Sequence, residues 1–298
     1  MRVTQNMLTR MLTNSIQSDL EYLQRLNEQL TTGKKVNAFS DDPEAAAVVL
    51  RLSRENDSYA TYLQHIQTID GMLSVATTSL QQVSMALSKV RELAVQAVTG
   101  TTSDVSLAPI ADAISNELAG LIALANIQYN GAYIFSGESV HTLPFAPTKD
   151  DGTIRSVTYA GQSTTTEVPI GPRTTTQSNV VGSSVFQANG DLFQTVIALR
   201  DAVAAGDRQK INDLLDDIQA SSTDVRQALV RLGEKQNQLQ FTQTATEQFV
   251  NLNTQTISNK EDADMAEVSV KYNLQMAQLQ IIMKVAAQAV PPSLVEFL

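Results

Sequence analysis

The stretch LTRMLTNSIQSDLEYLQRLNEQLTTG, residues 8–33, decides the fold. Leu8, Leu12, Ile16, Leu20, Leu23, Leu26 and Leu30 recur every three or four residues, which places them on one helical stripe. Gln17, Ser18, Asp19, Gln24 and Arg25 fill the other side. The pattern predicts a helix that stops near Thr31-Thr32-Gly33, with Gly33 supplying a left-handed cap. A lone amphipathic helix is marginal in water, so this stripe needs a cover.

The other end of the chain offers one. Met265, Val268, Tyr272, Gln275, Leu279, Ile282, Ala286 and Ala289 form a second stripe, a heptad seam with one polar member, Gln275. Pro291-Pro292 ends it, and the chain closes on the apolar run Ser293-Leu294-Val295-Glu296-Phe297-Leu298. Residues 1–40 hold five basic and three acidic side chains, net +2; residues 258–298 hold three basic and five acidic, net −2. The charges favour antiparallel docking, although exposed pairs contribute at most about 1 kcal/mol each. The candidate interface residues are Leu12, Ile16, Leu23 and Leu30 on the first stripe and Val268, Tyr272, Gln275, Leu279 and Ile282 on the second, together with Leu298 of the tail.

Between the ends lie further long helices. Asp41-Asp42-Pro43-Glu44 is a strong start signal: Asp42 suits the N-cap, Pro43 the first helical position, and the acids face the positive end of the helix dipole. Helical pattern then runs to about Val98, roughly 80 Å if unbroken, with Gly71 a candidate bend and Thr99-Gly100-Thr101-Thr102 the break. A shorter helix is expected over about 104–127. A long one is expected over about 206–258, with Leu229, Leu232, Leu239, Phe249 and Leu252 facing the core. Helices this long fit an elongated rod and not a sphere.

Residues 139–189 differ. Sixteen of these 51 are Ser or Thr and four of the eight prolines fall here, so helical periodicity is lost. Val157-Thr158-Tyr159 and Thr165-Thr166-Glu167-Val168 read as short strands, bounded by turn signals at Asn130-Gly131, Ser136-Gly137 and Asn189-Gly190-Asp191. The expected fold is therefore mainly α. Both termini contribute to a rod of long antiparallel helices, with a small β-rich inserted domain. Three domains follow: a terminal helical assembly domain of 1–40 with 258–298, a helical rod of 41–138 with 190–257, and the insert at 139–189.

Composition narrows the chemistry. A net charge of −10 repels phosphate backbones and argues against a nucleic-acid partner. Lys34-Lys35 is only a pair, and a solvated loop accounts for it. No cysteine is present, which excludes disulfides, thiolate metal sites and cysteine nucleophiles. His65 and His141 stand alone. Asp213, Asp216 and Asp217 read as a solvated acidic face, and the capping role accounts for Asp41 and Asp42. No phosphate-binding loop, nucleophile elbow or metal-ligand spacing occurs, so neither an enzyme nor a cofactor is expected. No run reaches the roughly 18 apolar residues of a membrane span. Met1-Arg2-Val3-Thr4-Gln5-Asn6-Met7 lacks the apolar core of a signal peptide.

Gln29-Leu30-Thr31-Thr32-Gly33-Lys34-Lys35-Val36-Asn37 followed by Ser40-Asp41-Asp42-Pro43 resembles the N-terminal signature of the flagellin and hook-associated protein superfamily. Arg2-Val3-Thr4-Gln5, the segment Tyr129 to Gly137, Asp262 to Glu267, and Ser293 to Leu298 are similar to its hook–filament junction branch. The resemblance covers about residues 1–137 and 190–298, and the insert carries none of it. It implies a structural subunit that joins hook to filament and seeds flagellin assembly, with flagellin itself as the alternative. It implies an extracellular protein of the bacterial flagellum, exported unfolded by the flagellar type III route without a cleaved signal peptide. The implied partners are flagellin, the other hook-associated junction protein, copies of the chain in one layer, and a cytoplasmic export chaperone at the C-terminal helix.

Overall fold

The computed structural model describes residues 5–99 and 107–289. Seven helices and three two-stranded antiparallel sheets follow in chain order among them. They are α1 (Gln5–Thr32), α2 (Pro43–Thr99), α3 (Leu107–Ala125), β1 (Gln128–Tyr129), β2 (Ala132–Tyr133), β3 (Phe145–Asp150), β4 (Thr153–Tyr159), β5 (Glu167–Gly171), β6 (Thr174–Gln177), α4 (Ser183–Phe186), α5 (Leu192–Ala205), α6 (Arg208–Glu261) and α7 (Met265–Ala289). The fold is mainly helical with a few small sheets, as the periodicity predicts. The chain divides into two compact units, Met1–Ser58 with Gln248–Leu298, and Tyr59–Glu247.

In the first unit, local chemistry sets the helix ends. Gly33 sits at φ +73° and its N–H donates to the Gln29 carbonyl at 2.8 Å, so it caps α1 as a left-handed residue. Asp42 Oδ1 accepts from the Ala45 N–H at 2.9 Å, the N-cap bond that opens α2. Asp41 Oδ2 accepts instead from the Asn37 and Ala38 N–H groups, which closes the turn before it. Phe249 and Leu252, expected in the core from their hydrophobicity, are 53% and 59% exposed.

The second unit holds the main core. Ile66, Ile69, Leu73, Ala76, Leu80, Val83, Leu87, Val90, Ala94 and Ala97 of α2 are all buried, in an unbroken alternation of three and four. Ile114, Leu118 and Leu121 of α3, Val225 and Leu239 of α6, and seven of the fourteen residues of α5 belong to the same cluster. α3 is long and apolar enough to cross a membrane by length and composition alone. Here its apolar stripe, Ile110 to Ala125, is spent on the core. α5 has no counterpart in the helices expected above. Its N-cap is Asp191, from the turn signal that marks the end of the Ser/Thr-rich segment.

α2 passes through Gly71 as continuous helix. A Cβ there would lie 2.4 Å from the Tyr129 hydroxyl, so close approach of the β1–β2 hairpin explains that glycine, which was expected to mark a bend. Of the expected strands, Val157-Thr158-Tyr159 closes β4, whereas only Glu167 and Val168 of the second run lie in β5. The 139–189 segment forms two separate hairpins, β3–β4 and β5–β6. Phe145, at the start of β3, packs on Phe186 and Phe193 at ring distances of 5.1 and 5.0 Å, and Phe135 joins at 5.3 Å from Phe186. The buried Arg200 of α5 donates through Nη1 to the Ile154 carbonyl of β4 at 2.7 Å. The hairpins thus share a core with α5.

Phe145→Ala should cost about 3–5 kcal/mol, the usual loss for a buried phenylalanine. Because Phe145 touches α4 and α5 as well as β4, helicity and hairpin should melt together at the lower temperature. Circular dichroism for the helices beside backbone NMR signals of the β4 residues checks it, and separate transitions would show that the hairpins fold independently.

Candidate assembly interface

α1 and α7 pack antiparallel in the first unit. Two strict heptad rows meet: 12, 16, 19, 23, 26 and 30 on α1, and 268, 272, 275, 279, 282 and 286 on α7. Leu23, Leu26, Val268, Gln275 and Leu279 are buried; Leu12, Ile16, Leu30, Tyr272 and Ile282 are half-buried. Nine of the ten residues expected at this interface are thereby brought into one seam. Leu298 lies outside the described residues, as do the side chains of Leu8 and Ala289.

Two stripe members do not enter the seam. Leu20 is 51% exposed and Met265 43%. The place that hydrophobicity gives to Leu20 belongs to Asp19. A row with steps of four and three from Leu12 and Ile16 must go on to position 19, and this count was the signal available in the sequence. Gln275 Nε2 donates to Asp19 Oδ1 at 2.9 Å, so the two polar members of the two rows satisfy each other. Asp19 Oδ2 is buried without a partner, which makes the pair a costly one to retain.

The seam is closed at one end by a clamp between two turns. Lys35 N–H donates to the Glu261 carbonyl at 2.7 Å and Ala263 N–H to the Gly33 carbonyl at 2.9 Å. Lys34 Nζ pairs with Glu261 Oε1 at 2.7 Å, and Lys35 Nζ donates to the Asn259 carbonyl at 2.8 Å. The lysine pair expected in a solvated loop therefore ties the end of α6 to the end of α1. Asp264 Oδ1 caps α7, accepting from the Ala266 and Glu267 N–H groups.

Away from the seam, both helices leave large apolar side chains in water. Met7, Met11 and Leu20 of α1 are 57%, 63% and 51% exposed; Val270, Leu274 and Ile281 of α7 are 60%, 57% and 60% exposed. Helices apolar on more than one face occur where more than one neighbour covers them. Among the described residues no three His, Asp or Glu side chains gather as a metal site would require.

Residues 3–140 match the family model of the bacterial flagellin N-terminal helical region. The chain is 38% identical over 152 residues to flagellar hook-associated protein 3 of Escherichia coli K12, a match that covers 50% of this chain and 45% of that protein. The match to flagellar hook-associated protein 3 of Salmonella typhimurium LT2 is 33% over 143 residues, 48% of this chain and 45% of the other. Phase 1 flagellin of Salmonella naestved is 25% identical over 222 residues, 68% of this chain and 43% of that one. The chain thus spans less than half the length of the curated relatives it matches. The fold is that of the solved flagellar hook-associated protein 3 from Legionella pneumophila, with a TM-score of 0.64 at 15% identity over 71% of this chain and 98% of that one.

The polar pair generates a prediction. Gln275→Leu alone strands the Asp19 carboxylate among apolar neighbours and should lower the stability of the helix pair by about 1–3 kcal/mol. Asp19→Leu with Gln275→Leu should restore it or exceed the parent, because the apolar replacement removes the desolvation cost of both groups. Urea unfolding followed by trimming of the ends with protease measures both. A harmless single change combined with a damaging double one would show that the pair carries no coupling.

Proposed function

We propose that this chain is a structural subunit of the bacterial flagellum, placed at the junction where the hook meets the filament. The observation that carries the reading is the order of identities: the chain is nearer to hook-associated protein 3 of two species than to flagellin. The α1–α7 pair supports it physically. One face of each helix is satisfied inside the chain, and the remaining apolar side chains ask for further copies around an axis. Leu12, Ile16, Leu23, Leu30, Val268, Tyr272, Gln275, Leu279 and Ile282 shape the pair, with Leu298 as an additional contact.

The partners in this reading are copies of the chain within one layer, flagellin on one side and the other hook-associated junction protein on the other. Such an adaptor makes heterologous contacts that do not repeat indefinitely. Ile281, Met283 and Val285 are at least 49% exposed on α7. Before assembly they need a cover in the cytoplasm, which is the role of an export chaperone at this helix. The subunit then leaves the cell by the flagellar export route and works outside it, as structure and not as catalyst. Flagellin is the second reading, since its match spans more of this chain.

Labelling on intact flagella separates the two. A short band beside the hook is the expected result, and label along the whole filament would make the chain flagellin. Leu279→Asp with Ile282→Asp places charge in the seam at a cost of several kcal/mol. Incorporation into flagella should fall at least about tenfold, while the melting of the Tyr59–Glu247 unit stays unchanged. Normal incorporation of the double variant would remove the terminal pair from assembly.

A further inference from the structure

In the second unit, Arg231 and Lys235 stand one turn apart on α6 and line a cavity of about 250 Å3. Val185 and Leu232 make part of its wall, and no acidic residue lines it. That absence is notable in a chain with 31 acidic and 21 basic side chains. Neither cation has an ion-pair partner among the described residues. Among the described residues, the one hydrogen bond of the Arg231 guanidinium runs from Nη2 to the Ser184 carbonyl at 3.5 Å, at the limit of such a bond. Glu234 follows on the same helix and lines the adjacent groove together with Arg231, but the two form no ion pair among the described residues. Burial pushes the Lys235 amine below its ordinary pKa, and no neighbouring charge offsets the shift.

The third group is Asn179, only 6% exposed. Its Oδ1 accepts from the Thr166 N–H at 3.2 Å, which fixes the orientation of the amide. Nδ2 is buried and has no partner among the described residues. A buried donor without an acceptor is destabilising. Asn179 also borders a larger, mostly apolar cavity beside Tyr129 and Met72. An acceptor there would satisfy Nδ2 alone, whereas an anion beside Arg231 and Lys235 would satisfy three donors at once.

We propose that this cavity binds a carboxylate, held by the Arg231 guanidinium, the Lys235 ammonium and the Asn179 amide. A planar two-oxygen anion suits the fork of an arginine. The carboxylate can belong to a small free molecule or to an Asp or Glu side chain of a neighbouring protein chain. The second source rests on the flagellar reading given above; the first does not.

Two arms test it on the full chain. In the first, lysine amines are 13C-methylated, the Lys235 signal is assigned by its loss in Lys235→Arg, and acetate is titrated against chloride at constant ionic strength. The Lys235 signal should shift saturably with acetate. Arg231→Gln, a change at an exposed position that should leave the circular dichroism spectrum unaltered, should weaken binding about tenfold. In the second arm, isolated flagella are treated with a carbodiimide, which joins an amine to a carboxylate it already touches. A cross-link from Lys235 to an Asp or Glu of another chain assigns the site to a protein carboxylate. Saturable acetate binding without that cross-link assigns it to a free one. A Lys235 signal that responds to acetate no more than to chloride, with no Lys235 cross-link in flagella, overturns the proposal.

Discussion

An amphipathic helix in water must cover its apolar stripe or remain largely unfolded, and α1 and α7 meet that demand only through each other. Each carries one heptad row, and the rows are in phase over six positions. The caps and the clamp follow from that pairing. Gly33 ends α1 where the seam ends, Asp264 starts α7 at the same level, and the bonds between residues 33–35 and 259–263 hold the two turns together. The polar pair lies inside the seam, where Asp19 and Gln275 can meet only if both rows keep their count. Packing between leucines is tolerant of sliding; an amide and a carboxylate that must find each other are not.

The second unit solves a different problem. A chain with only 5% aromatic residues might be expected to fill its interior with aliphatic side chains alone, and α2, α3 and α6 do so. Yet four of its eight phenylalanines gather between Phe135 and Phe193, where hairpins and short helices meet. Two-stranded hairpins are marginal by themselves and need a packed face. Large rings supply much contact from few residues, so scarce aromatics are concentrated where regular helix packing is interrupted.

Features set by neighbours in sequence were legible in advance. Asp42, Pro43 and Gly33 act on backbone groups within a few residues, so their roles could be read without a fold. The terminal seam was legible because its period is long and regular, and nine of its ten named residues lie in it. The misreadings share a cause. Leu20, Phe249 and Leu252 are apolar but exposed, and hydrophobicity alone could not distinguish them from core positions. Asp19 was hidden because it is polar, although its place in the row pointed to it. α5 is short, and its eight buried residues of fourteen form a wide apolar face that gives only a weak periodic signal. The phenylalanine cluster and the arrangement around Asn179 join distant segments, and nothing local announces them.

The seam also joins segments that lie far apart along the chain. Asp19 and Gln275 are 256 residues apart, and Lys34 and Glu261 are 227 apart. Contacts of such separation form late, after the entropy of closing a long loop has been met. A chain cut short between α6 and α7 keeps every segment of the second unit's core, but its α1 stays bare. The antiparallel pair therefore reports on α7: only a polypeptide that carries this helix presents a closed seam.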